Sequence, residues 1–180
     1  MNSRNSRRSS QDQAPRVQLP LLDRLIDDAP DALREAPLSL GDAEITLKNS
    51  VRRDLEALLN ARRRWRSLPE RYEELPTSLL GYGISDFASG AFNNAQQRDR
   101  LRSEIEQAIR EFEPRLTGVR VTLVERNDNL DATLRLQIEA MLRTEPAPEP
   151  IAFETLVDSA TSEVLVKPDS ETPMTNSGDV

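Results

Sequence analysis

The spacing of apolar residues changes period at Pro114, and this change constrains the fold more than any other feature of the 180-residue chain. Upstream, Leu47, Val51, Leu55, Leu58 and Leu59 recur at the three- and four-residue intervals that gather side chains on one face of an α-helix. Leu101, Ile105, Ala108, Ile109 and Phe112 repeat the pattern. Downstream, Val119, Val121 and Leu123 alternate with Arg120 and Thr122, and Leu134, Leu136, Ile138, Ala140 and Leu142 alternate with polar neighbours and Met141. A period of two is that of a half-buried strand. Helices grouped before strands predict an α+β domain: a small antiparallel sheet packed on one face by two main helices, with disordered termini.

Punctuation residues place the boundaries. The first main helix is expected from about Ile45 to Ala61, and Asn94, with Gln97 three residues later, resembles a capping box opening the second. Pro114 ends that helix, because its ring disfavours helical geometry at Glu113. Between them, Leu68 to Asn94 contains Pro69, Pro76, Gly81, Gly83 and Gly90 and reads as irregular chain. Leu19, Leu22, Leu25 and Ile26 predict a short amphipathic helix before Pro30, able to pack on the core or on a partner. Asn127 to Asp131 offer a turn between the first two strands. Pro146, Pro148 and Pro150 break the chain before Ile151–Val157 and Val164–Val166, which read as a smaller hairpin. Residues 1–18 and 168–180 are too polar to offset the entropy of ordering them, and are expected to be disordered tails flanking one domain over 19–167.

Composition narrows the chemistry. The chain has no His and no Cys, which removes disulfides, thiol nucleophiles, imidazole bases and the usual zinc ligands. No catalytic, cofactor-binding or metal site is expected. A net charge of -7 argues against general nucleic-acid binding. Arg62, Arg63, Arg64 and Arg66 around Trp65 are better explained as cations meeting the partial negative charge beyond a helix C-terminus. No segment reaches the roughly 20 apolar residues of a membrane helix, and Arg7-Arg8 runs into polar residues where a secretion signal would be apolar. A cytoplasmic protein without membrane insertion is predicted.

Several segments, in order, carry a resemblance: Leu21-Leu22-Asp23-Arg24-Leu25, Ser50 to Asn60 followed by arginines and Trp65, Tyr82-Gly83-Ile84, and Phe112-Glu113-Pro114-Arg115-Leu116. Over roughly residues 19–143 the chain resembles the TssE family of type VI secretion baseplates. That family is similar to a small wedge protein of contractile phage tails long labelled lysozyme-like. Ser85 departs from the family pattern, which commonly has proline there.

The resemblance implies a non-enzymatic wedge subunit in a membrane-docked baseplate, linking the wedge complex to the contractile sheath and helping to initiate sheath assembly. Its implied partners are the large wedge subunits TssF and TssG, TssK, and the sheath subunits TssB and TssC. The family's partner-binding motif maps onto Glu113, Pro114 and Arg115. Proline would hold an acceptor and a planar guanidinium in a nearly rigid frame; read alone, the same residues could instead tie down their own helix end. The resemblance further implies that sheath strands extend the sheet, at the strand around Val119 to Arg126 or the one around Ala132 to Arg143. The rival reading, a cell-wall glycoside hydrolase, needs two facing carboxylates; with 31 acidic residues a pair can always be found, so composition does not support it.

Overall fold

The computed structural model describes residues 19–26, 39–63, 71–86, 94–124, 133–145, 147–158 and 161–169. Three helices precede four strands: α1 (Leu21–Leu25), α2 (Leu40–Asn60), α3 (Ala95–Phe112), β1 (Leu116–Leu123), β2 (Thr133–Leu142), β3 (Glu149–Asp158) and β4 (Val164–Pro168). The strands form one antiparallel sheet in the order β1-β2-β3-β4. The α+β arrangement read from the periodicity is the observed one.

Helix α2 begins five residues before the expected Ile45. Ser39 caps it, its Oγ accepting from the Asp42 N–H at 3.2 Å, and Asp42 places a negative charge near the positive end of the helix. Leu40 and Ile45 are exposed, so this first turn contributes little to the apolar stripe that marked the rest. The cap of α3 is Asn94, as expected, but its side chain accepts from Gln96 N rather than from Gln97. Glu113 then leaves helical geometry immediately before Pro114.

Both stripes are buried together with alternate residues of every strand. Val51, Leu55, Leu59, Ile105 and Ile109 meet rows that cross the sheet, one of them Val121, Ile138 and Phe153, paired in register. Arg120, Thr122 and Glu139 point to the opposite, exposed face. One face is therefore apolar and covered, as the alternation required.

The smaller hairpin expected after the prolines is present as β3 and β4, and it belongs to the same sheet, because β3 also pairs with β2 over ten residues. Pro150 lies inside β3, opposite Met141. It follows that β2 is interior, held on both sides, and only β1 of the two strands considered as edges is one. The turn expected at 127–131, the residues Arg64 to Arg66, and the tails 1–18 and 170–180 lie outside the described residues.

The chain over 71–86 is a series of turns, tied down where Ile84 pairs with the end of α2: Ile84 N donates to Ala61 O at 3.0 Å and Arg63 N to Ile84 O at 2.9 Å. This pairing requires glycine at position 83, where φ is +100° and a Cβ would stand 2.3 Å from the Ala61 carbonyl. Gly118 makes a bulge in β1 with φ +63°, but space around it is open. Gly118→Ala is expected to cost about 1 kcal/mol, the penalty of a left-handed alanine. Gly83→Ala is expected to cost distinctly more, since steric overlap adds to the same penalty. Urea denaturation of both variants checks the order.

Candidate partner-binding site

Glu113, Pro114 and Arg115 form the corner between α3 and β1, and the structure shows what holds it. Glu113 is 4% exposed, although a lone buried carboxylate would be costly. Arg115 offsets that cost by folding back on it: its backbone N–H and Nε donate to Glu113 Oε1 at 3.2 and 2.6 Å, and a second guanidinium nitrogen pairs with Oε2. The same guanidinium reaches α2, donating to Asp54 Oδ2 at 2.6 Å and to Ser50 Oγ at 3.3 Å. Together these contacts, the hydrogen bond to Glu113 foremost, raise the Arg115 pKa and keep the charge fixed.

The network continues to α1. Arg53 donates to Asp23 Oδ1 at 2.7 Å, to Asp54 Oδ1 at 3.2 Å and to Ser50 Oγ at 3.3 Å. Asp23 thus anchors α1, whose leucines, contrary to an amphipathic helix packed on the core, are exposed; only Leu19, before the helix, packs against it. Burial opposes ionisation of Asp23, yet the hydrogen bond and charge of Arg53 outweigh it and hold the carboxyl below its usual 3.8.

A cavity of about 410 Å³ opens over this corner, lined by Pro20, Asp54, Leu58, Tyr82, Phe112 and the three motif residues. Tyr82 and Phe112 meet edge to face at 5.3 Å. Burial, joined by the charges of Asp54 and Glu113, raises the Tyr82 phenol above its usual 10.0. The cavity therefore combines an aromatic wall with a charged floor. Both of its carboxylates are bonded to one guanidinium. Among the described residues no group of three or more acids is placed to hold a metal ion, and no helix is long and apolar enough to cross a membrane.

Periodicity did not reveal a second feature. Side chains at four-residue intervals on each main helix bond the outward backbone groups of an edge strand. On β4, Asn60 accepts from Val164 N at 2.9 Å and donates to Val164 O at 2.8 Å, Glu56 accepts from Val166 N at 3.2 Å, and Arg52 donates to Val166 O at 3.4 Å. On β1, Arg110 donates to Val119 O at 2.8 Å, Glu106 accepts from Val121 N at 3.0 Å, and Arg102 donates to Val121 O at 3.4 Å. The apolar period picks out the buried face of each helix and says nothing of these residues.

Of the arginines beyond α2 that are described, Arg62 meets the helix end, whereas Arg63 turns to α3. Arg62 donates to Leu59 O at 2.8 Å, and Arg63 to Glu104 at 2.8 Å. Glu104 also accepts from the N–H and hydroxyl of Ser85 at 2.8 and 2.5 Å. A proline at position 85 would lack that N–H, so serine has a local use here.

Removing one partner of the corner should leave the other charge stranded. Arg115→Ala is expected to lower stability by about 2 to 3 kcal/mol, less than a fully buried pair because Arg115 keeps some exposure, as read by urea denaturation. Asp23→Asn tests the outer link. A carboxyl with a lowered folded pKa contributes stability above its unfolded pKa and loses it as pH falls through the folded one. The variant should thus be weaker than the parent near neutrality, with the gap closing in strong acid.

Comparison with known proteins agrees with the resemblance. The sequence model of one family, described as baseplate wedge protein gp25, matches residues 45–147, more than half of the chain. No protein with a curated description matches. The matched span runs from within α2 to just beyond β2 and includes the Glu113–Arg115 corner, its partners Ser50 and Asp54, and every residue lining the cavity except Pro20. The chain belongs to the gp25 family of baseplate wedge proteins, the family of TssE.

Proposed function

We propose that the chain is a structural subunit of a type VI secretion baseplate, joining the large wedge subunits TssF and TssG, with TssK nearby, to the contractile sheath. In this reading it works in the cytoplasm, within a membrane-docked assembly, and helps the first ring of TssB and TssC subunits to assemble. Family membership supports a baseplate role. The observation that supports the finer reading is the corner itself. Glu113, Pro114 and Arg115 sit at the floor of an open cavity with their charges already paired and their backbone held.

A surface fixed in advance loses little conformational freedom when a partner closes over it. Tyr82 and Phe112 offer the apolar contact and Arg115 the charge, a combination common at the centres of protein interfaces. The partner that suits such a cavity is a helical segment or bundle end bringing one or two apolar side chains. No bond in a substrate is made or broken in this account, and no cofactor is needed.

The direct test is copurification of TssF and TssG with the intact chain. Pro114→Asp, at an exposed lining position, and Arg115→Ala should each abolish recovery while circular dichroism confirms that the domain remains folded. Undiminished recovery in both would remove the corner from the interface.

A further inference from the structure

The side chains along the two sheet edges occupy the places where a fifth strand would bond. Their spacing explains how a helix can do this. Four helical residues advance about 6 Å and two strand residues about 6.6 Å, so side chains at every fourth helical position keep step with alternate residues of a strand. In an antiparallel edge, alternate residues turn both N–H and C=O outward. A carboxylate on an outward N–H replaces a neighbour's carbonyl, and a guanidinium on an outward C=O replaces a neighbour's amide.

The two edges are not closed equally. On β4 all four outward groups of Val164 and Val166 are bonded, Asn60 grips Val164 on both sides as a peptide group would, and the strand ends in Pro168, which has no N–H to offer. On β1 the closure is carried by long charged side chains, Arg110 being 58% exposed. The pairing of Val124 N with Arg135 O turns the N–H and C=O of Leu123 outward, and these have no partner among the described residues. Glu106 also stays paired if it leaves the strand: Arg110 and Arg102 lie 2.6 and 3.5 Å from it. Opening β1 strands no charge; on β4 Glu56 likewise keeps Arg52 at 3.2 Å, but opening that edge leaves the Asn60 amide oxygen to be resatisfied.

We infer that β1 is the edge that accepts an extended strand from a neighbouring subunit, with Arg102, Glu106 and Arg110 as its displaceable stand-in, while β4 stays sealed. The inference rests on the reading that sheath subunits extend this sheet, and adds which edge they use and what they displace. The added strand takes over the bonds at Val119 and Val121 and extends them to Leu123. The helix side chains swing outward together. Until then the ladder blocks pairing between copies of the chain through their free edges.

Amide hydrogen exchange tests the two parts separately. In the free chain, Glu106→Ala should speed exchange at Val121 by about tenfold, because its hydrogen bond is lost. Unchanged exchange there would overturn the ladder whatever the sheath does. With purified TssB and TssC as the probe, slowed exchange is expected at Leu123. The E106A/R110A variant should bind them about fivefold more tightly, the worth of roughly one net hydrogen bond no longer competed for. The E56A/N60A variant should bind as the parent does. Protection appearing at Val164 and Val166, or weaker binding by E106A/R110A, would overturn the choice of edge. Binding that protects neither edge, or no binding by any variant, would sink the strand-addition reading itself and the inference with it.

Discussion

Burial of one face of α2 is the constraint from which the other parts of the molecule take their positions. Val51, Leu55 and Leu59 are fully buried in the common core, and this fixes the rotation of the helix. Once that rotation is set, Ser50 and Asp54 point to the Arg115 guanidinium, while Arg52, Glu56 and Asn60 lie along β4. A helix turned by one residue would misplace all three sets at once. The apolar stripe and the polar contacts therefore act as one device, in which nonspecific burial orients specific hydrogen bonds.

The Glu113–Arg115 corner meets the helix-end reading, and the proposed docking role does not conflict with it. The pair does tie down its own helix end, with Glu113 almost wholly buried and Arg115 bonded to three different residues. It also lines an open cavity. A charge satisfied within its own chain can still meet a partner, because a guanidinium bonded along its edges keeps its planar face available for packing. In the proposed reading, internal pairing serves as preparation for docking, since nothing has to be reordered when a partner arrives.

Much of the fold was legible because burial writes a period into the sequence. The stripes of α2 and α3 and the alternation in β1 and β2 gave both element type and inward face, and every residue of those stripes except Phe112, which is partly buried, and Leu123 lies in the buried core. Where packing does not decide, the sequence was less informative. The first turn of α2 is set by the Ser39 cap rather than by apolar residues. Pro150 suggested a break but is tolerated in β3 opposite Met141. Strand order was the larger gap, since periodicity tells which face is buried but not which neighbours pair. The edge ladders were illegible for a similar reason: a solvated Arg-Glu-Arg series and a backbone-bonding one read alike until strand and helix are brought together.

The account holds that this domain acts by presenting prepared surfaces to neighbouring subunits of a contractile machine. Its most direct test is an electron cryomicroscopy reconstruction of the assembled baseplate at a resolution that traces side chains. The account expects the cavity above Glu113, Pro114 and Arg115 to be filled by helical segments of the large wedge subunits, with a sheath strand laid along the sheet. A reconstruction in which the cavity faces open solvent and the sheet meets no sheath chain would contradict it.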